Sequence, residues 1–236
     1  VTIEDDLDPV ALAQDLTLEL DADGQATIAV SDIDNGSSDN CEIVSSTLDV
    51  STFDCGDIGA NTVTLTVQDT SGNSSSATAE INVVDNMDPV AVAQDISVEL
   101  NANGEATISA SDIDNASSDN CGIVSSALDV SSFDCSDLGT NSVTLTVEDA
   151  SGNSSSATAV VTVEDNTDPV AVAQDISIQL DADGQAAISA SDLDNGSSDN
   201  CGIVSSTLDV STFDCNDVGT NSVTLTVQDA SGNSSS

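Results

Sequence analysis

Apolar and polar side chains alternate along this chain in short runs, and each run closes on a cluster of turn-forming residues. The clearest is 141–147, where Val143, Leu145 and Val147 point one way and Thr144 and Thr146 the other. That period of two marks a half-buried strand. The same reading predicts strand over 90–100, with Ile96, Val98 and Leu100 alternating, then a hairpin turn at Asn101-Ala102-Asn103-Gly104 and a returning strand over 105–110. A polar loop over 111–120 follows, then a strand over 123–130 and an irregular stretch holding Phe133 and Cys135. After 141–147 comes the tight turn Asp149-Ala150-Ser151-Gly152-Asn153 and a closing strand over 157–163. Six or seven short strands joined by turns predict an all-β chain of antiparallel, immunoglobulin-like sandwiches.

The pattern recurs. Asp-Pro-Val stands at Asp8, Asp88 and Asp168, and Asp-Asn-Cys at Asp39, Asp119 and Asp199, both at a period of 80 residues without insertions. A unit of that length can be its own small domain, so the expected architecture is beads on a string. The expected divisions are 1–6 as the tail of a preceding repeat's last strand, then repeats at 7–86, 87–166 and 167–236, the last without its closing strand. Val1-Thr2-Ile3-Glu4-Asp5 matches Val161-Thr162-Val163-Glu164-Asp165, and Ser236 is equivalent to Ser156. The expectation is a window onto a longer array; the rival is a subunit completed by strand donation from an identical neighbour.

Composition narrows the function. The chain has no Lys, Arg or His against 43 Asp plus Glu, a formal charge of −43. Nucleic-acid binding and adhesion to anionic membranes both need basic residues. No apolar run is long enough to insert in a membrane. Nucleophilic and acid–base chemistry lose most of their usual carriers. A carboxylate pair could hydrolyse glycosides, but with no Trp or Tyr and three Phe there is little to stack a sugar against. A non-enzymatic role is expected. Such acidity would ordinarily signal disorder. The 38% apolar content, laid out with strand periodicity, argues for a folded chain that needs cations.

Cys41, Cys55, Cys121, Cys135, Cys201 and Cys215 follow one another at spacings of 14, 66, 14, 66 and 14. Two Cys without His cannot complete a zinc site. The short spacing predicts one disulfide inside each repeat, Cys41–Cys55, Cys121–Cys135 and Cys201–Cys215, contributing about 3 kcal/mol apiece in the chain-entropy model. Disulfides imply an extracellular setting.

Strand direction gathers the acidic loops. If the first strand runs away from the linker and the second returns, the loop ending at Asp119 and Asn120 lies at the linker end. The turn holding Asp149 and Asn153 lies there too, because the closing strand must run outward, and so do the linker residues Asp85 and Asp88. Carboxylates pooled without a basic partner repel unless a cation sits among them, and calcium takes six to eight oxygens from flexible carboxylate, amide and carbonyl donors. The expected calcium ligands are Asp5, Asp8, Asp39 and Asp69; Asp85, Asp88, Asp119 and Asp149; and Asp165, Asp168, Asp199 and Asp229. Asp-x-Asp-Asn-Gly at Asp32 departs from an EF-hand loop: its glycine comes one position early and the glutamate is missing. Two Asn-x-Ser sequons per repeat leave glycosylation open.

Three segments together, Asp-Pro-Val-Ala-Val-Ala-Gln-Asp at Asp88–Asp95, Ser-Asp-Asn-Cys-Gly at Ser118–Gly122 and Asp-Ala-Ser-Gly-Asn-Ser at Asp149–Ser154, resemble the HYR-like, immunoglobulin-like tandem repeats of giant bacterial cell-surface adhesins and fibres. The resemblance spans the chain. It implies a secreted, surface-attached stalk with calcium at its domain junctions, partnered by neighbouring repeats or identical subunits. The alternative is a calcium-dependent module that binds glycans or proteins through the polar loops.

Overall fold

The computed structural model describes residues 1–236, and strands dominate it. In the first repeat the strands are β1 (Leu16–Glu19), β2 (Gln25–Thr27), β3 (Ile43–Leu48), β4 (Thr52–Asp54), β5 (Gly59–Asp69) and β6 (Ser74–Val84), with one helical turn, α1 (Val30–Ile33). The second holds β7 (Ile96–Glu99), β8 (Glu105–Thr107), α2 (Ala110–Ile113), β9 (Ile123–Leu128), β10 (Ser132–Asp134), β11 (Gly139–Asp149) and β12 (Ser154–Glu164). The third holds β13 (Gln185–Ala187), α3 (Ala190–Leu193), β14 (Ile203–Leu208), β15 (Thr212–Asp214), β16 (Leu225–Asp229) and β17 (Ser234–Ser235).

The first repeat shows the logic. Its larger sheet runs β1-β6-β5-β3, with β1 parallel to β6 and the other pairs antiparallel. Its smaller sheet is β2 against β4. Val63, Leu65 and Val67 of β5 and Ala79, Ile81 and Val83 of β6 share one buried cluster with Ile28, Ile33 and Phe53. The two sheets therefore close on a single core, as in an immunoglobulin-like sandwich. The middle repeat keeps the order β7-β12-β11-β9 beside β8-β10. The chain is all-β, built of tandem sandwiches.

Some elements differ from the sequence expectation. Residues 90–100 are not one strand: Val90 and Ala93 make isolated bridges to Ser118 and Asp114, and the ladder begins only at Ile96. Between them the Asp95 carboxylate accepts the Val160 N–H at 2.7 Å, taking a ladder bond's place. The loop expected over 111–120 opens with the turn α2, whose Asp112 carboxylate accepts the Ser109 N–H at 2.7 Å. In the third repeat Ile176–Gln179, equivalent to β7, joins no ladder: β7 pairs with Val161–Glu164 of β12, and β17, the counterpart of β12, spans only Ser234–Ser235.

The chain gathers into two compact units. One comprises Val1–Val92, Ala116–Ala127 and Thr146–Ala157, and the other Ala93–Asn115, Leu128–Leu145 and Thr158–Ser236. Each unit holds one whole junction between successive repeats.

Candidate metal centre at the repeat junction

In the first unit, β6 ends at Val84, and the chain continues through Asp85 to the buried Pro89. Here the loop before β9 and the turn between β11 and β12 come together. Ligand-capable oxygens of Asp85, Asp119 and Asp149 lie within 4.8 Å of one another. The second unit repeats the group with Asp165, Asp199 and Asp229, and near the N-terminus the corresponding group is Asp5, Asp39 and Cys41.

Backbone amides fix each carboxylate. Asp149 Oδ1 accepts the N–H groups of Ser151 and Asn153, at 2.9 and 2.8 Å, and its Oδ2 accepts Asn153 Nδ2 at 2.7 Å. The same Asn153 amide donates to the Asp85 carbonyl at 3.0 Å, tying turn to linker. Asp119 Oδ2 accepts the Cys121 N–H at 2.8 Å. Asp85 Oδ1 accepts from Met87 N–H at 3.1 Å and from Asn120 Nδ2 at 3.3 Å. The remaining oxygens, Asp85 Oδ2, Asp119 Oδ1 and Asn120 Oδ1, are buried and have no hydrogen-bond partner. Asp85 is 4% exposed and Asp149 2%.

Burial pushes the Asp149 carboxyl up, but the hydrogen bonds from Asn153, Gly152 and Ser151 outweigh it and hold the group below the ordinary carboxylate value. Asp69 is lowered by the same balance with Asn73, Ser71 and Gly72. The Asp5 carboxyl is lowered by hydrogen bonds from Cys41, then Asn40 and the Leu7 amide.

Of the residues expected from sequence, the structure brings Asp5 with Asp39, Asp85 with Asp119 and Asp149, and Asp165 with Asp199 and Asp229. Asp69 stands close enough to Cys41 to raise its thiol, after the larger effects of Asp5, burial and Asp39. Asp8, Asp88 and Asp168, each preceding a buried proline, are exposed and belong to none of the groups. The expected ligand set holds aspartates alone, although strand direction places Asn120 at the linker end; Asn120 and its equivalent Asn200 join the groups. Their signal was the strict recurrence of Asn between Asp and Cys.

The disulfides correct the sequence expectation. They join Cys55 to Cys121 and Cys135 to Cys201, each across 66 residues and between successive repeats, while Cys41 and Cys215 are free. The within-repeat pairs Cys41–Cys55, Cys121–Cys135 and Cys201–Cys215 do not form. Cys41 precedes β3, whose first residue Ile43 pairs with Asp69 at the turn end of β5. Cys55 follows β4, whose Asp54 pairs with Gln25 beside the hairpin at Asp21–Gly24. That hairpin lies at the opposite end, where the Leu20 N–H reaches the Val84 carbonyl. A six-residue strand of about 20 Å separates the two cysteines, so Cys55 meets the first cysteine of the next repeat instead. The hairpin completes the contact: Asn120 Nδ2 donates to the Asp21 carbonyl at 3.1 Å. Gly24, at φ +70°, approaches so closely that a Cβ there would stand 2.6 Å from Cys55 Sγ and 2.8 Å from the Asn120 carbonyl.

No family model and no curated protein matches the chain. Solved structures similar to it include the protocadherin gamma B7 extracellular cadherin domains 1–4, at 12% identity and TM-score 0.35, over 98% of this chain and 75% of that one. The protocadherin gamma B4 extracellular domain aligns at 15% identity and TM-score 0.37, over 98% of this chain and 48% of that one. Human protocadherin-24 EC1-2 aligns at 12% identity and TM-score 0.38, over 68% of this chain and 100% of that one. With every score below 0.5, the site has to be judged on its own residues. No helix is long and apolar enough to cross a membrane.

Proposed function

We propose that the chain is a structural extender of an extracellular filament or adhesin stalk, stiffened where calcium occupies the junctions between its repeats. The single observation that carries this reading is the location of the orphaned oxygens. All eight buried, unpartnered side-chain polar atoms belong to Asp5, Asp39, Asp85, Asp119, Asp165 and Asp199 or to Asn120 and Asn200. Leaving a buried acceptor unsatisfied costs about 1–3 kcal/mol, more if charged. The donors are hard oxygens on short, backbone-anchored side chains, a set that suits calcium better than a soft transition metal.

In the middle junction Asp85, Asp119 and Asn120 would hold the ion, with Asp149 at the fourth side. Asp165, Asp199, Asn200 and Asp229 are their equivalents. These residues come from the end of one sandwich and two loops of the next, so a bound cation ties the linker to the following domain. The repeats 7–86, 87–166 and 167–236 are the domains so joined. The disulfides support an extracellular location, and the tandem sandwiches support the likeness to HYR-like repeats of bacterial adhesins.

Isothermal titration of the full chain with calcium, followed by small-angle scattering with calcium or EGTA, tests the reading. Saturable binding at two or more sites and a shorter, more variable particle in EGTA are expected. Absence of binding at millimolar calcium, or an unchanged scattering profile, refutes it.

A further inference from the structure

The disulfide pairing fixes which parts of the chain can carry load. Tension applied at the two ends enters Cys55 and crosses the S–S bond to Cys121. It then follows the backbone to Cys135 and crosses to Cys201. The peptide between Cys55 and Cys121, and between Cys135 and Cys201, is a closed loop that the bridge bypasses. Only the 14-residue step from Cys121 to Cys135 is loaded within the middle period of 80.

We infer that this chain is a limited-extension tether, in which a ladder of disulfides between repeats carries tension and takes most of each period's backbone off the load path. The argument rests on covalent connectivity and is independent of whether calcium binds. The loaded step contains β9 and β10 and nothing else of regular structure. Strands β11 and β12, which supply Val143, Leu145, Val147, Val161 and Val163 to the core, lie inside the second loop. The linker residue Asp85 lies inside the first loop with Asp119 and Asn120, and Asp149, Asp165, Asp199 and Asn200 lie inside the second. Once each bridge is taut, force cannot draw Asp85 from Asp119, or Asp165 from Asp199, through the backbone.

The consequence for length is large. An unbridged 80-residue period pulled straight spans about 290 Å at ~3.6 Å per residue. With its bridges intact, the same period yields its 14-residue step, about 50 Å on the same scale, plus a bridge with a Cα–Cα distance of 5.4 Å. A stalk made this way can lose every hydrogen bond and still not lengthen several-fold. That behaviour suits a stiff spacer holding a load at fixed reach, and is the opposite of a domain chain that absorbs force by unfolding.

Single-molecule stretching tests it. The full 236-residue chain is held by handles at Val1 and Ser236, with the free thiols of Cys41 and Cys215 alkylated beforehand to prevent links between molecules. It is stretched with and without a water-soluble phosphine. In the reduction each S–S bond becomes two thiols, the phosphine is oxidised to its oxide, and water supplies the oxygen and protons. Two further extensions, each about 230 Å for 66 residues, are expected to appear only on reduction. The paired substitution Cys55→Ser with Cys121→Ser should release one of them without phosphine. Equal lengths with and without phosphine overturn the inference, as do releases of about 45 Å, the length of a 14-residue loop. Chelation by EGTA leaves all extended lengths unchanged and alters only unfolding forces, so failure of the calcium reading is distinguishable from failure of this one.

Discussion

Replacing Asp119 by Asn should move stability in opposite directions with and without calcium. The side chains are nearly isosteric. An asparagine can keep the wild-type bond by accepting the Cys121 N–H through its oxygen, which turns its Nδ2 toward the place where Asp119 Oδ1 now has no partner. Asp85, Asp119 and Asp149 form three carboxylate pairs within 4.8 Å. At an effective dielectric constant of 20, each pair at that separation repels by about 3.5 kcal/mol. The Asp119→Asn variant would abolish two of the three repulsions and offer a donor to the orphaned Asp85 Oδ2. In EGTA at low salt it should therefore melt higher than the parent; after screening, a gain on the order of 2 kcal/mol is expected. In saturating calcium it loses an anionic ligand and places a donor against the cation, so it should melt lower. The assay is thermal unfolding followed by circular dichroism at two ionic strengths, in calcium and in EGTA. A decrease of similar size under both conditions would falsify the electrostatic account and leave Asp119 with a purely structural part as a cap on Cys121. The advantage in EGTA should also shrink as salt rises.

Three other outcomes follow from the same geometry. Digestion must use a protease that cuts at acidic residues, since the chain offers trypsin no Lys or Arg; mass spectrometry should find Cys55 joined to Cys121 and Cys135 to Cys201, with Cys41 and Cys215 alkylated, and Cys41–Cys55 peptides would contradict the pairing. Gly104→Ala forces a side chain to φ +74° and sets its Cβ 2.6 Å from Cys135 Sγ and 3.0 Å from the Asn200 carbonyl. A left-handed alanine alone costs about 1–2 kcal/mol, so the variant should melt lower and show two additional thiols on titration with a chromogenic disulfide. Asn153→Ala removes the amide that binds Asp149 Oδ2 and the Asp85 carbonyl, an expected loss of about 1–3 kcal/mol. Because the Asp149 carboxyl is lowered in the fold, the part of this stabilisation carried by its bond from Asn153 is complete above the ordinary carboxylate range near 4 and is lost as pH falls through the lowered value, while the bond to the Asp85 carbonyl does not titrate. The difference in melting temperature between parent and variant should thus be constant from pH 7 to about 5 and shrink below 4; a difference that grows on acidification would refute the assignment.

The sandwich was legible because its strongest strand announces itself. Val143, Leu145 and Val147 alternate with threonines, and all three are fully buried in β11. The convergence of Asp85, Asp119 and Asp149 was legible from strand direction alone, because reversals at Gly104 and Gly152 determine which end each loop occupies. The disulfides were misread because their expected pairing rests on spacing along the chain and not on the strand direction that located the carboxylates. Sequence distance favours the spacing of 14, yet strand β9 carries Cys121 and Cys135 to opposite ends of one sandwich, and loop closure is decided in space rather than along the chain. The Asp-Pro aspartates stand apart from the groups because the buried prolines at 89 and 169 anchor the backbone while the preceding side chains face water.

A chain with 43 acidic residues and no basic side chain has to solve its electrostatics with backbone amides. The aspartates do this throughout. Asp32 and Asp112 accept the amides that start α1 and α2. Asp49 and Asp129 accept the Thr64 and Thr144 N–H groups and close the loops after β3 and β9. Asp54 and Asp134 cap the turns that hold Cys55 and Cys135. Each of these carboxylates is exposed, so water serves whatever the backbone leaves unsatisfied. Asp85 and Asp119 differ because the neighbouring repeat's hairpin, drawn in by the Cys55–Cys121 bridge and the close approach at Gly24, helps to shut water out. Docking deepens a burial that the junction loops already impose, since Asp5 Oδ2 and Asp39 Oδ1 are orphaned too beside the free Cys41, and a cation among such oxygens offsets that cost. From this follows a definite coupling. Reducing the bridges should weaken calcium affinity, and calcium should shift the reduction equilibrium toward the disulfide by the same factor, because both act on the same docked state. Measuring calcium affinity before and after reduction, in parallel with the reduction equilibrium at two calcium concentrations, checks the reciprocity. Unequal factors would mean that the two devices stabilise different arrangements of the junction.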